Sequence, residues 1–399
     1  MRSTTYPSFM SFPSSGTSIG CTLYLVFLAC SLHAERARDW GMVFEGTPGS
    51  GNAITDVEGV WVGHCTLVSE EGKGDHGPVA VRTGVTAILP RGATYGPVWA
   101  ACEKLNGNGE MTGTTWIDES GFLEEPVLLT NTHSVGAVYE ASIQWRRQRG
   151  YHPQDAGQGW ASLPVVAETW DGRLNDIHGH HIRAQHVFAA LDQAHAGRVE
   201  EGNVGGGTGM VCHGFKGGIG TASRLLPGGD TLGVLVQTNY GRREDLQITG
   251  VPVGSRIRGY EMSIQQPSPY QGNSIIVVIA TDAPLLPHQL KRVAQRASLG
   301  IGRTGGYGAH SSGDLFLAFS TARISDPDHK GVHSVAMLAN HQLDALFLAT
   351  IQAVEESILN ALVAAETMTG MHGNKVHALP RDQVRSLLRQ AGARKRVQP

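Results

Sequence analysis

Several kinds of chemistry can be sought in these 399 residues by residue type and spacing. A serine nucleophile raised on a strand-to-helix turn would read Gly-x-Ser-x-Gly. That pattern occurs at Gly16-Thr17-Ser18-Ile19-Gly20, with no strand signal ahead of it to build the turn, so it is a chance match. A metal centre would need clustered ligands. His178, His180 and His181 stand together, but there is no His-Glu-x-x-His motif. The five cysteines, Cys21, Cys30, Cys65, Cys102 and Cys212, form no Cys-x-x-Cys pair and read as free thiols. Solvated loop histidines are the plainer reading, and no metal is expected. The stretch 202–220 (GNVGGGTGMVCHGFKGGIG) holds nine glycines, a density that allows positive φ and close backbone approach. Lys216 is followed by Gly217 where a phosphate loop needs Ser or Thr, so nucleotide binding is disfavoured. Exposed N–H groups in such a loop could still shape an anion-stabilising wall.

Other polar residues stand out by their surroundings. Glu168 lies in the short apolar run PVVAET, where a carboxylate is costly unless paired, either by an internal cation or by a cationic ligand. Asn239 follows a strand in QTNYG, a position typical of a turn-forming Asn. Ser274 opens SIIVVIAT directly after the irregular QQPSPYQGN, and by residue type alone it is a strand-capping serine. Ser312-Gly313-Asp314 reads by itself as a turn before LFLAFS.

The elements that must position these residues alternate along the chain. Strands are expected at 54–68, 79–89, 126–131, 164–169, 232–238, 274–281 and 315–320. Helices are expected at 132–147 with Ser134 as cap, at 181–196 ending at Gly197, at 287–298, and as a long amphipathic helix over 341–368. The SIIVVIAT run, apolar and β-branched throughout, predicts a central strand buried on both faces. The stretch 202–220 is expected to be a shaped loop. No linker divides two cores, so one layered α/β domain is expected.

Composition bounds the partners. Hydrophobic residues at 41% supply a large core, and a net charge of −3 offers no electrostatic case for nucleic acid. The basic tail Arg389, Arg394, Lys395, Arg396 reads as a solvated end. Residues 1–34 differ from the rest. They are Ser/Thr/Pro-rich to Ser18, then apolar from Ile19 to Leu32, too short to span a bilayer comfortably. A signal peptide, which would imply a periplasmic or secreted protein, and a disordered or mis-assigned start, which would imply a cytoplasmic one, both stay open. No other segment is read as reaching membrane-spanning length, and no membrane partner is expected.

Collinear blocks then carry a resemblance. NAITDVEGVWVGH (52–64), LLTNTHSVG (128–136), VVAETWDGRLNDI (165–177), GNVGGGTGM (202–210), FKGGIGTASR (215–224), NSIIVVIATDAPLLPHQLKR (273–292) and SSGDLFLAFSTA (311–322) resemble the family of L-aminopeptidase D-Ala-esterase/amidase and β-peptidyl aminopeptidase. The similarity runs from about residue 38 to about 366. It implies a four-layer αββα sandwich of the N-terminal-nucleophile type, one domain cut between Asn273 and Ser274 into an α chain (35–273) and a β chain (274–399). The α-amine freed by that cut, with an ordinary pKa of about 7.7–8.0, would be the base for the Ser274 hydroxyl.

By the same resemblance Ser312 and Asp314 assist Ser274, Glu168 receives the substrate's ammonium, and Asn239 donates to the oxyanion. Trp170 stands where relatives have a Tyr that joins the oxyanion hole, which puts the second donor in question. Asn131 is a weaker pocket-lining residue. Asp314, where some β-peptide-cleaving members have Glu, leans toward the L-aminopeptidase/D-esterase branch. Expected substrates are small peptides, amides or esters, without a cofactor, on self-associating αβ heterodimers. Two rivals are an acyltransferase resembling ornithine acetyltransferase, disfavoured because those use Thr, and an unprocessed peptide-binding protein.

Overall fold

Two sheets carry the architecture. The smaller is ordered β1 (Trp61–Ser69), β2 (Val81–Leu89), β5 (Val127–Asn131), β6 (Val165–Thr169). The larger is ordered β7 (Gly218–Leu225), β8 (Thr231–Asn239), β9 (Asn273–Thr281), β10 (Ser312–Ser320), β3 (Val98–Gly107), β4 (Phe122–Leu123). The pairs β5–β6 and β9–β10 are parallel; the other neighbours run antiparallel. This computed structural model describes residues 34–397 except 70–72, 75–76, 95, 151–162, 266–272, 325–330 and 333. The leader over 1–33 and most of the connection over 265–273 lie outside the described residues.

Strand β9 shows why the sheets stack. Ile275, Val277 and Ile279 join one core cluster with Phe316, Leu290, Ile358 and Leu362, whereas Ile276, Val278 and Ala280 join another with Ile88, Leu129, Ala167 and Phe319. Alternate side chains of one strand thus enter two cores, which requires the unbroken apolar run. Each fully buried aliphatic side chain contributes roughly 1.5–3 kcal/mol. Helices α4 (Pro287–Gln295), α5 (Ala297–Arg303) and α6 (Leu343–Ala364) cover the outer face of the larger sheet. Helices α2 (Val135–Gln148) and α3 (Ala184–Asp192) cover the smaller one through a third cluster around Val85, Leu128, Val138 and Val187. The layers are therefore αββα, as expected.

Several elements differ from the expectations. Residues 54–56 form a 3-10 turn instead of opening β1. The Asp56 carboxylate accepts the N–H groups of Gly51 (2.8 Å) and Ala53 (3.0 Å), a local alternative to a strand ladder. The glycine-rich segment does not stay a loop to 220. It enters β7 at Gly218, where a Cβ would come within 1.9 Å of the Gly202 carbonyl oxygen. Strand β3 and helices α1 (Thr114–Ser120) and α5 were not anticipated. The basic tail lies in a further helix, α7 (Arg381–Val397). Ser134 makes no side-chain capping bond, and α3 ends at Asp192, before Gly197.

Helix α6 is not amphipathic in the expected sense. Residues 340–364 are long and apolar enough to cross a membrane, contrary to the sequence reading, yet 89% of the most apolar window is buried inside the protein. Its polar residues are satisfied internally. Glu356 pairs with Arg224 (2.8 Å) and Arg38 (2.6 Å), and Asn360 bonds the Ala37 N–H and the Thr221 carbonyl. A polar side chain inside this helix therefore does not mark solvent.

The helix rests directly on a glycine of β7. A Cβ at Gly220 would lie 2.0 Å from the Ser357 carbonyl oxygen and 2.7 Å from the Ala361 nitrogen. Gly220→Ala is expected to lower unfolding free energy by about 1–3 kcal/mol in urea titration. Gly302→Ala on α5, with nothing within 4 Å of the added carbon, is expected to be neutral or up to about 1 kcal/mol stabilising.

Candidate active site

Four of the residues singled out by sequence, Asn239, Ser274, Ser312 and Asp314, converge at one end of adjacent strands of the larger sheet. Asn239, the last residue of β8, is the antiparallel partner of Ser274 on β9; Ser274 is the parallel partner of Gly313 on β10; Gly313 and Asp314 pair with Gly107 and Asn106 at the end of β3. Ser274, Ser312, Asp314 and Asn239 are each about 2% exposed. The Ser274 Oγ accepts the Gly313 N–H at 3.1 Å. Asn273, immediately before it, is half-buried, starts β9 and lines a cavity of about 170 Å³ together with Ser312, Asp314, Tyr240 and Tyr307.

Ser-Gly-Asp is thus the first part of a strand and not a turn. Its glycine is demanded by space, because a Cβ at Gly313 would meet the Asn108 carbonyl oxygen at 2.5 Å. The Asp314 carboxylate accepts from the Ser312 hydroxyl, from the Asn106 amide (3.4 Å) and from the Ile275 N–H, so it grips the residue next to Ser274. Burial outweighs these bonds and pushes the carboxyl above the ordinary aspartate range.

Glu168 comes from the other sheet. The segment after β3 bridges the gap: a Cβ at Gly109 would lie 3.2 Å from the Gly313 Cα and 3.3 Å from the Glu168 Oε1. Glu168 is 5% exposed. One oxygen accepts the Glu110 N–H at 3.0 Å, and the other accepts the Thr132 hydroxyl in a short contact. Both donors are uncharged, and burial raises the carboxyl pKa. A carboxylate held this way retains an appetite for a cation.

Asn239 is fixed at both ends of its amide. Its Oδ1 accepts the Val211 N–H at 2.8 Å, and its Nδ2 donates to the Trp170 carbonyl at 2.8 Å, leaving the second Nδ2 proton as its remaining donor. The Trp170 indole lies back over Gly172, where a Cβ would come 2.6 Å from the ring. Asn131 is buried, and both its amide protons are taken, by Thr83 (2.8 Å) and by Asp171 (3.0 Å). His178 and His180 are exposed, and His181 pairs with Asp176 at 3.0 Å.

Four contributors escaped the sequence reading: Asn106, Thr132, Gly313 and Asp171. Asn106 opens an Asn-Gly-Asn-Gly run, a turn signature that could have been noticed. Thr132 and Gly313 lay inside quoted blocks without being singled out. Nothing in the sequence pairs Asp171 with β2.

Comparison with known proteins shows the family and the fold. The model of peptidase family S58 matches residues 52–376. The chain is 48% identical over 376 residues to the β-peptidyl aminopeptidase BapA of Sphingosinicella microcystinivorans, covering 90% of this chain and 93% of the relative. Among solved structures, a Burkholderia sp. β-aminopeptidase superposes with a TM-score of 0.80 at 49% identity. The L-aminopeptidase D-Ala-esterase/amidase of Ochrobactrum anthropi, a serine aminopeptidase described as a variant of the Ntn-hydrolase fold, superposes with a TM-score of 0.81 at 46% identity. Each covers 90% of this chain and 99% of its own. With most of its length matched by the family model and by these relatives, and with their fold, the chain belongs to peptidase family S58 and is a serine aminopeptidase.

Proposed function

We propose that the chain severs its own Asn273–Ser274 bond and then releases the N-terminal residue of short peptides, amides or esters through an acyl-enzyme on Ser274. The observation that carries this reading is the position of Ser274, second residue of a central strand, with its Oγ on the Gly313 N–H and with Asp314 bonded to the next N–H. In self-cleavage the Oγ adds to the Asn273 carbonyl carbon and its proton passes to the departing nitrogen. The resulting ester is hydrolysed by water, leaving a carboxylate on Asn273 and a free α-amine on Ser274.

In turnover that amine takes the Oγ proton as the oxygen attacks the substrate carbonyl, and returns it to the leaving group. Water then hydrolyses the acyl-enzyme with the same amine as base. Asp314 and Ser312 orient the β-chain end, Asn239 donates its remaining amide proton to the developing oxyanion, and Glu168 holds the substrate's ammonium. The identities of 48%, 49% and 46% to β-peptide and L-residue enzymes are close together, so stereochemical preference rests on Asp314 alone.

Terminal sequencing of active enzyme is expected to find a 126-residue fragment (274–399) beginning Ser-Ile-Ile-Val. Ser274→Ala is expected to stay a single inactive chain. Active enzyme with no new amino end at Ser274 would defeat the mechanism.

Glu168→Gln is expected to cut kcat/KM for a dipeptide amide about 10- to 150-fold, the equivalent of one charged hydrogen bond. Only the ionised carboxylate attracts an ammonium. The attraction is therefore present above the raised pKa and lost as pH falls through it, in a window above the ordinary glutamate value of about 4.3. The inhibition constant of an uncleaved dipeptide analogue, followed against pH, should show this limb in the parent and not in Glu168→Gln. Identical profiles would remove Glu168 from the site.

A further inference from the structure

Asp171 is a fully buried carboxylate that none of the steps above uses. It directly follows Trp170, whose carbonyl holds Asn239. Its side chain collects donors from three separate parts of the smaller sheet and its surroundings. Asn131 at the end of β5 donates to Oδ2 at 3.0 Å, Asn175 donates to Oδ1 at 3.1 Å, and the Thr83 hydroxyl of β2 donates as well. Asn131 also donates to the Thr83 hydroxyl oxygen (2.8 Å), and the Arg82 N–H donates to the Asn175 side-chain Oδ1 (2.9 Å), so the cluster is closed on itself. The Asp171 carbonyl accepts the N–H groups of Leu174 and Asn175, which folds the chain into a tight turn there.

The same residue touches the second clamp on Asn239. A Cβ at Gly209 would lie 2.8 Å from the Asp171 Cβ, and two residues later the Val211 N–H holds the Asn239 Oδ1. Asp171 therefore sits between the two backbone groups that orient the Asn239 amide: the carbonyl of its own neighbour on one side and the glycine-rich segment on the other. A donor aimed at a developing charge gains its effect from being fixed before the reaction, and these two clamps do the fixing.

We propose that Asp171 is a positioning residue for oxyanion stabilisation. Its carboxylate, anchored by Thr83, Asn131 and Asn175, locks the turn after β6 so that the Trp170 carbonyl and the Val211 N–H hold one Asn239 amide proton free for the oxyanion. Asn131 belongs to this anchor. The proposal rests on the oxyanion reading of Asn239, and the experiment separates the two.

The test is a double-mutant cycle on self-processed full-length enzyme, with kcat and KM for a dipeptide amide expressed per titrated Ser274. Asn239→Ala is expected to lower kcat about 100- to 1000-fold. Asp171→Asn, which keeps the shape but turns an acceptor into a donor facing donors, is expected to lower kcat about 10- to 100-fold. Its KM should change by less than about threefold, because the loss is felt in the transition state. In the Asn239→Ala background, Asp171→Asn is expected to have less than about twofold further effect on kcat.

Thr83→Val, which removes a single donor, should show the same pattern at smaller size and serves if Asp171→Asn does not fold. A lowered melting temperature with unchanged kcat per site in Asp171→Asn or Thr83→Val would make Asp171 structural only and overturn the proposal. Losses that multiply with Asn239→Ala would overturn it too. An unchanged kcat in Asn239→Ala alone would overturn the oxyanion reading of Asn239, and the proposal with it.

Discussion

The register between β9 and its two neighbours governs the rest of the molecule. Because side chains alternate with a period of two, sliding β9 by one residue against β10 would send Ile275, Val277 and Ile279 into the inter-sheet core and move Ser274 away from Gly313. Both cores resist that slip, since every side chain from Ile275 to Ala280 is already packed on one face or the other. The apolar part of the strand thus acts as the anchor for Ser274, next to its start. A serine placed near the beginning of such a strand inherits the rigidity of the whole sheet.

Close backbone approach is the second device. Gly313 and Gly109 face one another where the chain after β3 crosses over β10, and Gly220 lets α6 settle onto β7. Each removes a side chain at a place where two main chains need the same volume. The first contact has chemical consequence, because it brings Glu168 from the smaller sheet to within a residue's width of the strand pair bearing Ser274. The four-layer arrangement alone would leave the two sheets about 10 Å apart, as stacked sheets are.

Electrostatics follow from this burial. Glu168, Asp314 and Asp171 are all carboxyl groups withdrawn from water and held by uncharged donors, and burial raises the pKa of all three, that of Asp171 to about 7. The charged pairs that brace the scaffold, such as Glu356 with Arg224 and Arg38, lie on the far side of the larger sheet under α6. Among the described residues, the acidic groups around Ser274 are held by uncharged hydrogen-bond donors.

Much of this could be read from one dimension. The apolar run from Ile275 marks a doubly covered strand by pattern alone, and the collinear blocks carry the family, its four layers and the grouping of Ser274, Ser312, Asp314, Glu168 and Asn239. Local pattern failed where partners are distant in sequence. The stretch 341–368 read as an amphipathic helix because partners such as Arg224 for Glu356 and Ala37 for Asn360 cannot be seen from α6 alone, and Gly218 to Gly220 read as loop because the crowding comes from Gly202 and Ser357. For the same reason only the tertiary structure decided that Asn131 serves Asp171, that Asn106 holds Asp314, and that Trp170 meets Asn239 through its carbonyl. Residue type and spacing determine what a segment is able to form; which donor reaches which acceptor is decided by strands and helices brought together from far along the chain.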